Sequence, residues 1–157
     1  MTTVADLMTR DVVTLSEEDG LNRAMKIFSK LPIRHLPVTS DGTLVGLVSH
    51  RDALSWSGSA IDPTAYASER VATKAHDTFV AEVMIRDVVT LAPTATVVEA
   101  ARTLIERGFG ALPVVDDEKK LLGIVTETDL LRQLISDEVT SAQTPPPPPP
   151  SRPRGKE

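Results

Sequence analysis

Apolar positions along this chain fall into two stretches built alike. Leu21, Ala24, Met25, Phe28 and Leu31 recur three and four residues apart, which places them on one face of a helix. Val97, Ala100, Ala101, Leu104 and Ile105 repeat that spacing further on. Thr96 followed by Glu99 forms a capping box for the second helix, and Asp19-Gly20 is a weaker start for the first; Pro32 and Gly108 end them. Each helix is followed by an apolar run (Leu36 to Thr39, Leu112 to Val115), a polar turn (Ser40-Asp41-Gly42, Asp116-Asp117-Glu118) and a second run (Leu44 to Ser49, Leu121 to Thr126). This order predicts two β-hairpins. A short β-branched stretch, Asp11 to Leu15, predicts an extended segment ahead of the first helix.

The two stretches are a duplication. Met8 falls on Met84 with a shift of 84 − 8 = 76, so VADLMTRDVVTL lies over VAEVMIRDVVTL and Leu36-Pro37-Val38 over Leu112-Pro113-Val114. One residue inserted near Glu118 raises the shift to 77, which sets Gly46 on Gly123 and Asp52 on Asp129. Roughly 18 of about 50 paired positions are identical, enough for an internal repeat and a pseudo-twofold module.

Each copy closes on the same motif, LVGLVSHRDAL from Leu44 and LLGIVTETDLL from Leu121. It reads as a strand, a sharp turn and a helix start. Ser49 and Thr126 stand where N-caps stand, and Asp52 and Asp129 lie in the first turn, where negative charge suits the helix dipole. Capping alone accounts for such a pair. The same geometry also suits a ligand, because free N–H groups at a helix start attract phosphate and a carboxylate can accept both hydroxyls of a ribose.

Composition narrows the function. The chain has 157 residues and no cysteine, which excludes disulfides, thiolate metal sites and cysteine nucleophiles, and fits a reducing compartment. Its net charge of −5 with scattered basic residues disfavours nucleic acid, and aromatics at 3% leave little for base stacking. The three histidines stand in unrelated contexts, so no metal site is expected. No apolar run is long enough to span a membrane, and the N-terminus lacks a signal-like apolar region, so the cytoplasm is the expected location. No nucleophile with an adjacent base is legible, and no enzyme activity is expected.

A leading VMTRDVVTL-like segment, a helix with an alanine at a matching position, an LPV strand and a G-[IL]-V-[ST]-x-x-D close, all occurring twice in order, together resemble the CBS domain; the tandem resembles a Bateman module. The resemblance covers Val4 to about Ser136. It implies an α/β fold of two repeats about a pseudo-twofold axis, with small three-stranded sheets packed together and helices outside. It also implies two clefts for adenosine nucleotides (AMP, ADP or ATP), each built across the repeats. The first would combine Val12, Val13, Thr14, Arg34, His35 and Pro37 with Thr126 and Asp129; the second Val88, Val89, Thr90, Gly110, Ala111 and Pro113 with Ser49 and Asp52. In each, the aspartate takes the ribose. Arg34 and His35 suit phosphate, or are a solvated basic pair; the second cleft has Gly110-Ala111 there and only Arg51, beside His50, as its base. The first is therefore the expected site of a phosphorylated ligand.

The organisation expected is repeat 1 at residues 1–56, a linker at 57–79, repeat 2 at 80–137 and a disordered proline-rich tail at 138–157. Asp62-Pro63 predicts a short helix in the linker to about Lys74, read as a cover for the core or, through Trp56 and Tyr66, as a lid or dimer contact. The six prolines from Pro145 to Pro150 suit a polyproline II spacer. The expected protein is a homodimer that senses an adenosine-type ligand and signals to a separate partner. The competing expectations are a ligand-free dimerising scaffold and a sensor of S-adenosylmethionine or a dinucleotide.

Overall fold

The computed structural model describes residues 1–57 and 77–142. Along the chain run α1 (Val4–Leu7), α2 (Leu21–Lys30), β1 (His35–Ser40), β2 (Thr43–Ser49), α3 (His50–Ser57), α4 (Val80–Val83), α5 (Val97–Arg107), β3 (Ala111–Val115), β4 (Leu121–Thr126) and α6 (Glu127–Ala142). The expected linker helix, Tyr66, His76 and the proline run lie outside the described residues.

Local chemistry sets the boundaries. Thr96 Oγ1 accepts from the Glu99 N–H at 3.1 Å and Glu99 Oε2 accepts from the Thr96 N–H at 2.7 Å, closing the capping box of α5. Gly108 ends that helix in the left-handed region at φ 66°. Asp41 (φ 50°) and Gly42 (φ 81°) make a two-residue turn with both φ positive, as the twist of a tight hairpin requires. The inserted residue falls in the second hairpin, where Asp116 Oδ1 takes the N–H groups of Glu118 and Lys120, each at 2.9 Å, and Lys119 turns left-handed. The hairpin tips meet: Leu44 N donates to Lys119 O at 2.9 Å and Leu121 N to Gly42 O at 3.0 Å.

Two results differ from expectation. The regular ladders are two-stranded, β1 with β2 and β3 with β4, both antiparallel. The expected third strand shrinks to one parallel bridge on each side, Leu15 to Val38 and Leu91 to Val114, because the residues before it leave the sheet. Helix α6 also runs to Ala142, past the boundary expected at 137. Along those turns Gln133 donates to Asp137 at 2.7 Å, a supporting i,i+4 pair, while the Ser136, Thr140 and Ser141 hydroxyls donate to the carbonyls four residues back.

The repeats exchange their leading segments. Val4 and Met8 lie in the core of the second repeat with Leu104, Leu112, Val114 and Val125; Val80 and Met84 lie in the core of the first with Phe28, Leu36, Val38 and Val48. The backbone repeats the exchange residue for residue: Val4 N donates to Ala95 O and Val80 N to Asp19 O, each at 2.8 Å. Val4 and Val80 are fully buried, so each contributes about 1.5–3 kcal/mol to a core it does not belong to in sequence. Trp56 packs, half-buried, against the first core.

Candidate functional site

The exchange sets two crossings along which the expected crevices would lie. Thr9 trades hydrogen bonds with Ile124 of β4 at 2.9 and 3.0 Å, while six residues later Leu15 N donates to Pro37 O at 2.9 Å and Leu15 O accepts from Thr39 N at 2.8 Å on β1. Val12, Val13 and Thr14 therefore cross from the second repeat to the first. Ile85 is paired with Leu47 at 2.9 and 3.0 Å and Leu91 with β3, so Val88, Val89 and Thr90 make the reverse crossing. Val13 is exposed, the other five are half-buried, and Val89 leans on the second core.

The residues before each LPV strand lie beside the start of the helix that follows the hairpin. His35 pairs with Ser49 and Ala111 with Thr126 in the ladders. Arg34 O accepts the His50 N–H at 2.8 Å, and Gly110 O the Glu127 N–H at 3.3 Å. Across the axis, the His35 ring lies over Gly110, where an added methyl would meet its Cε1 at 3.2 Å. Arg34 and His35 thus have Ser49 and His50 as backbone neighbours, and the two expected residue sets adjoin at the axis. Pro37, Ala111 and Pro113 are buried floor, while Arg34 and Arg51 are exposed.

The two aspartates share a sequence position but not a bonding state. Asp129 Oδ2 accepts from the Thr126 N–H at 2.8 Å and from the Thr126 hydroxyl at 3.0 Å, and its Oδ1 lies 3.7 Å from Arg132 Nη1. In the first repeat the bond runs the other way, Ser49 Oγ accepting the Asp52 N–H at 3.0 Å. The Asp52 carboxylate has no hydrogen-bond donor among the described residues. It borders an open depression of about 490 Å³ shared with Ser55, Trp56, Val83 and Ile85. Sequence reasoning missed Arg132 and Ser55; helical periodicity alone, three residues on from each aspartate, would have placed them beside it.

Electrostatics at the axis centre on histidine. Burial holds the His35 imidazole below the usual range; Asp52 and Glu127 pull it up and Arg34 pulls it down. Burial, then Arg34, lowers His50, whose ring stacks on Phe28 at 4.9 Å between centroids. The unfolded chain takes these protons near pH 6.5 and the folded chain only below that, so their contribution to stability is complete above about pH 7 and falls as pH drops. The thermal midpoint is expected to be flat above about pH 7 and to decline as pH falls below about 6.5, with a shallower slope in His35→Gln. An unchanged slope in the His35→Gln, His50→Gln double variant would assign the decline elsewhere. Asp6 and Glu99, lowered by hydrogen bonds from Thr3 and Thr96, act at lower pH, below about 4.

Among the described residues no cluster of His, Asp or Glu could hold a metal ion, and no helix is long and apolar enough to cross a membrane. Comparison with known proteins gives this architecture relatives. The CBS domain profile matches residues 4–59 and 80–136. A CBS domain-containing protein of Dictyostelium discoideum is 32% identical over 133 residues, covering 84% of this chain and 90% of that protein. The homoserine O-acetyltransferase of Methanococcoides burtonii is 35% identical over 132 residues, but there the chain covers 83% of itself and only 24% of the enzyme. Among solved structures, a Vibrio cholerae protein named for acetoin utilization superposes with a TM-score of 0.75 at 33% identity, covering 93% of this chain and 99% of that one. CBSX2, a CBS-pair protein of Arabidopsis thaliana, was solved in complex with AMP and matches with a TM-score of 0.73 at 27% identity over 87% of this chain and 98% of that one. The CBS domain pair of protein MJ0100, solved with 5′-methylthioadenosine and S-adenosyl-L-methionine, gives 0.69 at 27% identity, covering 87% and 98%.

Proposed function

Since the chain belongs to the CBS domain family, we propose that it is a regulatory module binding an adenosine nucleotide (AMP, ADP or ATP) in the crevices between its repeats and passing occupancy to a separate protein. The observation that carries this reading is the double crossing, in which each of Val12–Thr14 and Val88–Thr90 is tied at one end to each repeat. A ligand lodged against either crossing touches both halves at once. It can shift their packing by as much as its affinity differs between the two arrangements. AMP in CBSX2 supports the ligand class. The pair of ligands in MJ0100 supports a second reading in which S-adenosylmethionine or a related nucleoside takes the site.

No catalytic role is proposed, and the match to acetyltransferases spans about a quarter of their length. A homodimer is proposed, because α5 and α6 leave Val98, Ile105, Leu131, Leu134, Ile135 and Val139 exposed. A second copy, carrying the same patch, is the self-complementary occupant of a twofold interface.

A thermal-shift panel of AMP, ADP, ATP, adenosine and S-adenosylmethionine tests the ligand. At a hundred times its dissociation constant the right compound adds about 2.7 kcal/mol, a rise of about 5–10 °C for a chain of this size. The Asp52→Ala, Asp129→Ala double variant should lose that rise. If no adenosine compound moves the wild-type midpoint, the sensor reading fails and a ligand-free scaffold is left.

A further inference from the structure

The two clefts are not chemically equivalent. The shift of 77 that sets Asp52 on Asp129 sets Ser55 on Arg132, since 55 + 77 = 132. Arg132 reaches Asp129 Oδ1 at 3.7 Å, with the carboxylate side chain 13% exposed and the arginine 75% exposed. The guanidinium is thus largely in solvent beside a largely buried carboxylate. Ser55 leaves that helix position without charge, so the cation nearest in sequence is Arg51, and Asp52 and Ser55 border an open depression with Trp56, Val83 and Ile85.

We infer that Arg132 makes the Asp129 cleft selective for phosphorylated adenosine ligands, while the Asp52 cleft, with Ser55 in its place, binds the nucleoside with or without phosphate. This rests on the adenosine-binding reading above. A ribose that takes Asp129 must share a carboxylate already holding the Thr126 N–H and hydroxyl and lying beside Arg132. The guanidinium it displaces is then free to pair with phosphate, for which its planar fork is suited. Adenosine alone offers Arg132 no partner in exchange. At Asp52 neither competition arises, because that carboxylate has no hydrogen-bond donor to give up among the described residues. Glu127, exposed on the first turn of α6, opposes a phosphate there and makes the arginine the more necessary.

Isothermal titration of AMP and of adenosine into wild type, Arg132→Gln and Ser55→Arg decides it. Both substitutions are at exposed positions and leave the aspartates and their caps in place. Wild type should show one site preferring AMP over adenosine by at least about tenfold and one with a preference under about threefold, the first being worth one charge-assisted pair. Arg132→Gln should cut the large preference sharply while raising adenosine affinity or leaving it unchanged, and Ser55→Arg should create a preference at the second site. Equal loss of AMP and adenosine in Arg132→Gln, or an unchanged AMP preference, would overturn the inference while leaving adenosine binding intact. Failure of wild type to bind either compound would instead overturn the reading on which it rests.

Discussion

Gly123→Ala is expected to destabilise the protein by about 2–3 kcal/mol, a fall in midpoint of about 6–10 °C, and Gly46→Ala by about 1 kcal/mol. Both glycines interrupt apolar strands at equivalent positions, and both lie beneath an exchanged methionine. A methyl on Gly123 would come 2.6 Å from the carbonyl oxygen of Thr9, 2.7 Å from Met8 Sδ and 2.9 Å from Met8 Cγ. On Gly46 it would strike Met84 Sδ and, at 2.9 Å, Met84 Cγ, with the Ile85 carbonyl further off at 3.2 Å. A methionine end can swing aside, whereas the Thr9 carbonyl is itself bonded to Ile124 N and anchors the Val12–Thr14 crossing. Gly123→Ala should therefore also weaken ligand binding at the first crevice. Denaturant melts of the two variants check the order. A Gly46→Ala loss equal to or larger than that of Gly123→Ala would mean the crossing segment yields as easily as a side chain.

The helices, hairpins and caps were legible because each is fixed by residues close in sequence: Thr96 with Glu99, Asp41 with Gly42, Gly108 after its helix. The exchange was not, and duplication is the reason. VADLM and VAEVM are nearly the same string, so the apolar face of either fits either core, and no periodicity says which one it enters. The short third strand follows from the same cause, since a segment tied to β4 at Thr9 and to β1 at Leu15 has only one residue left to pair. At the site, sequence gave the aspartates but not their bonding. Ser49 and Thr126 look interchangeable, yet one hydroxyl accepts from the backbone of the aspartate and the other donates to its carboxylate. Each helix thus shows one half of a capping box, the Ser49 hydroxyl taking the Asp52 N–H and the Asp129 carboxylate taking the Thr126 N–H, which leaves the Asp52 carboxylate clear of the cap. Clustering at the axis was also hidden: Arg34 and His35 are far from Asp52 and Glu127 in sequence, and only the fold brings His35 within their field.

Replacing Leu131 or Ile135 with glutamate is expected to weaken self-association by about three orders of magnitude while leaving the fold of each chain intact. These side chains, with Leu134 and Val139, form a stripe along α6 at spacings of three and four, each more than half exposed. An isolated helix face of this kind is more apolar than a solvated one needs to be, and Ile105 on α5 is also 81% exposed. A charge buried at the centre of such a patch costs about 2 kcal/mol or more, and twofold symmetry places it in the interface twice, giving about 4 kcal/mol and hence about a thousandfold. Within one chain the same residues touch little, so circular dichroism and the thermal midpoint of the monomer should change little. Sedimentation velocity across micromolar concentrations reads the result directly. A wild type that remains monomeric, or glutamate variants that still dimerise, would remove α6 from the interface. Because Thr126 immediately precedes α6 and Asp129 lies in its first turn, a dimer built on its later turns would join each first crevice to the partner chain through one continuous helix, which is the route by which ligand occupancy alters the assembled surface.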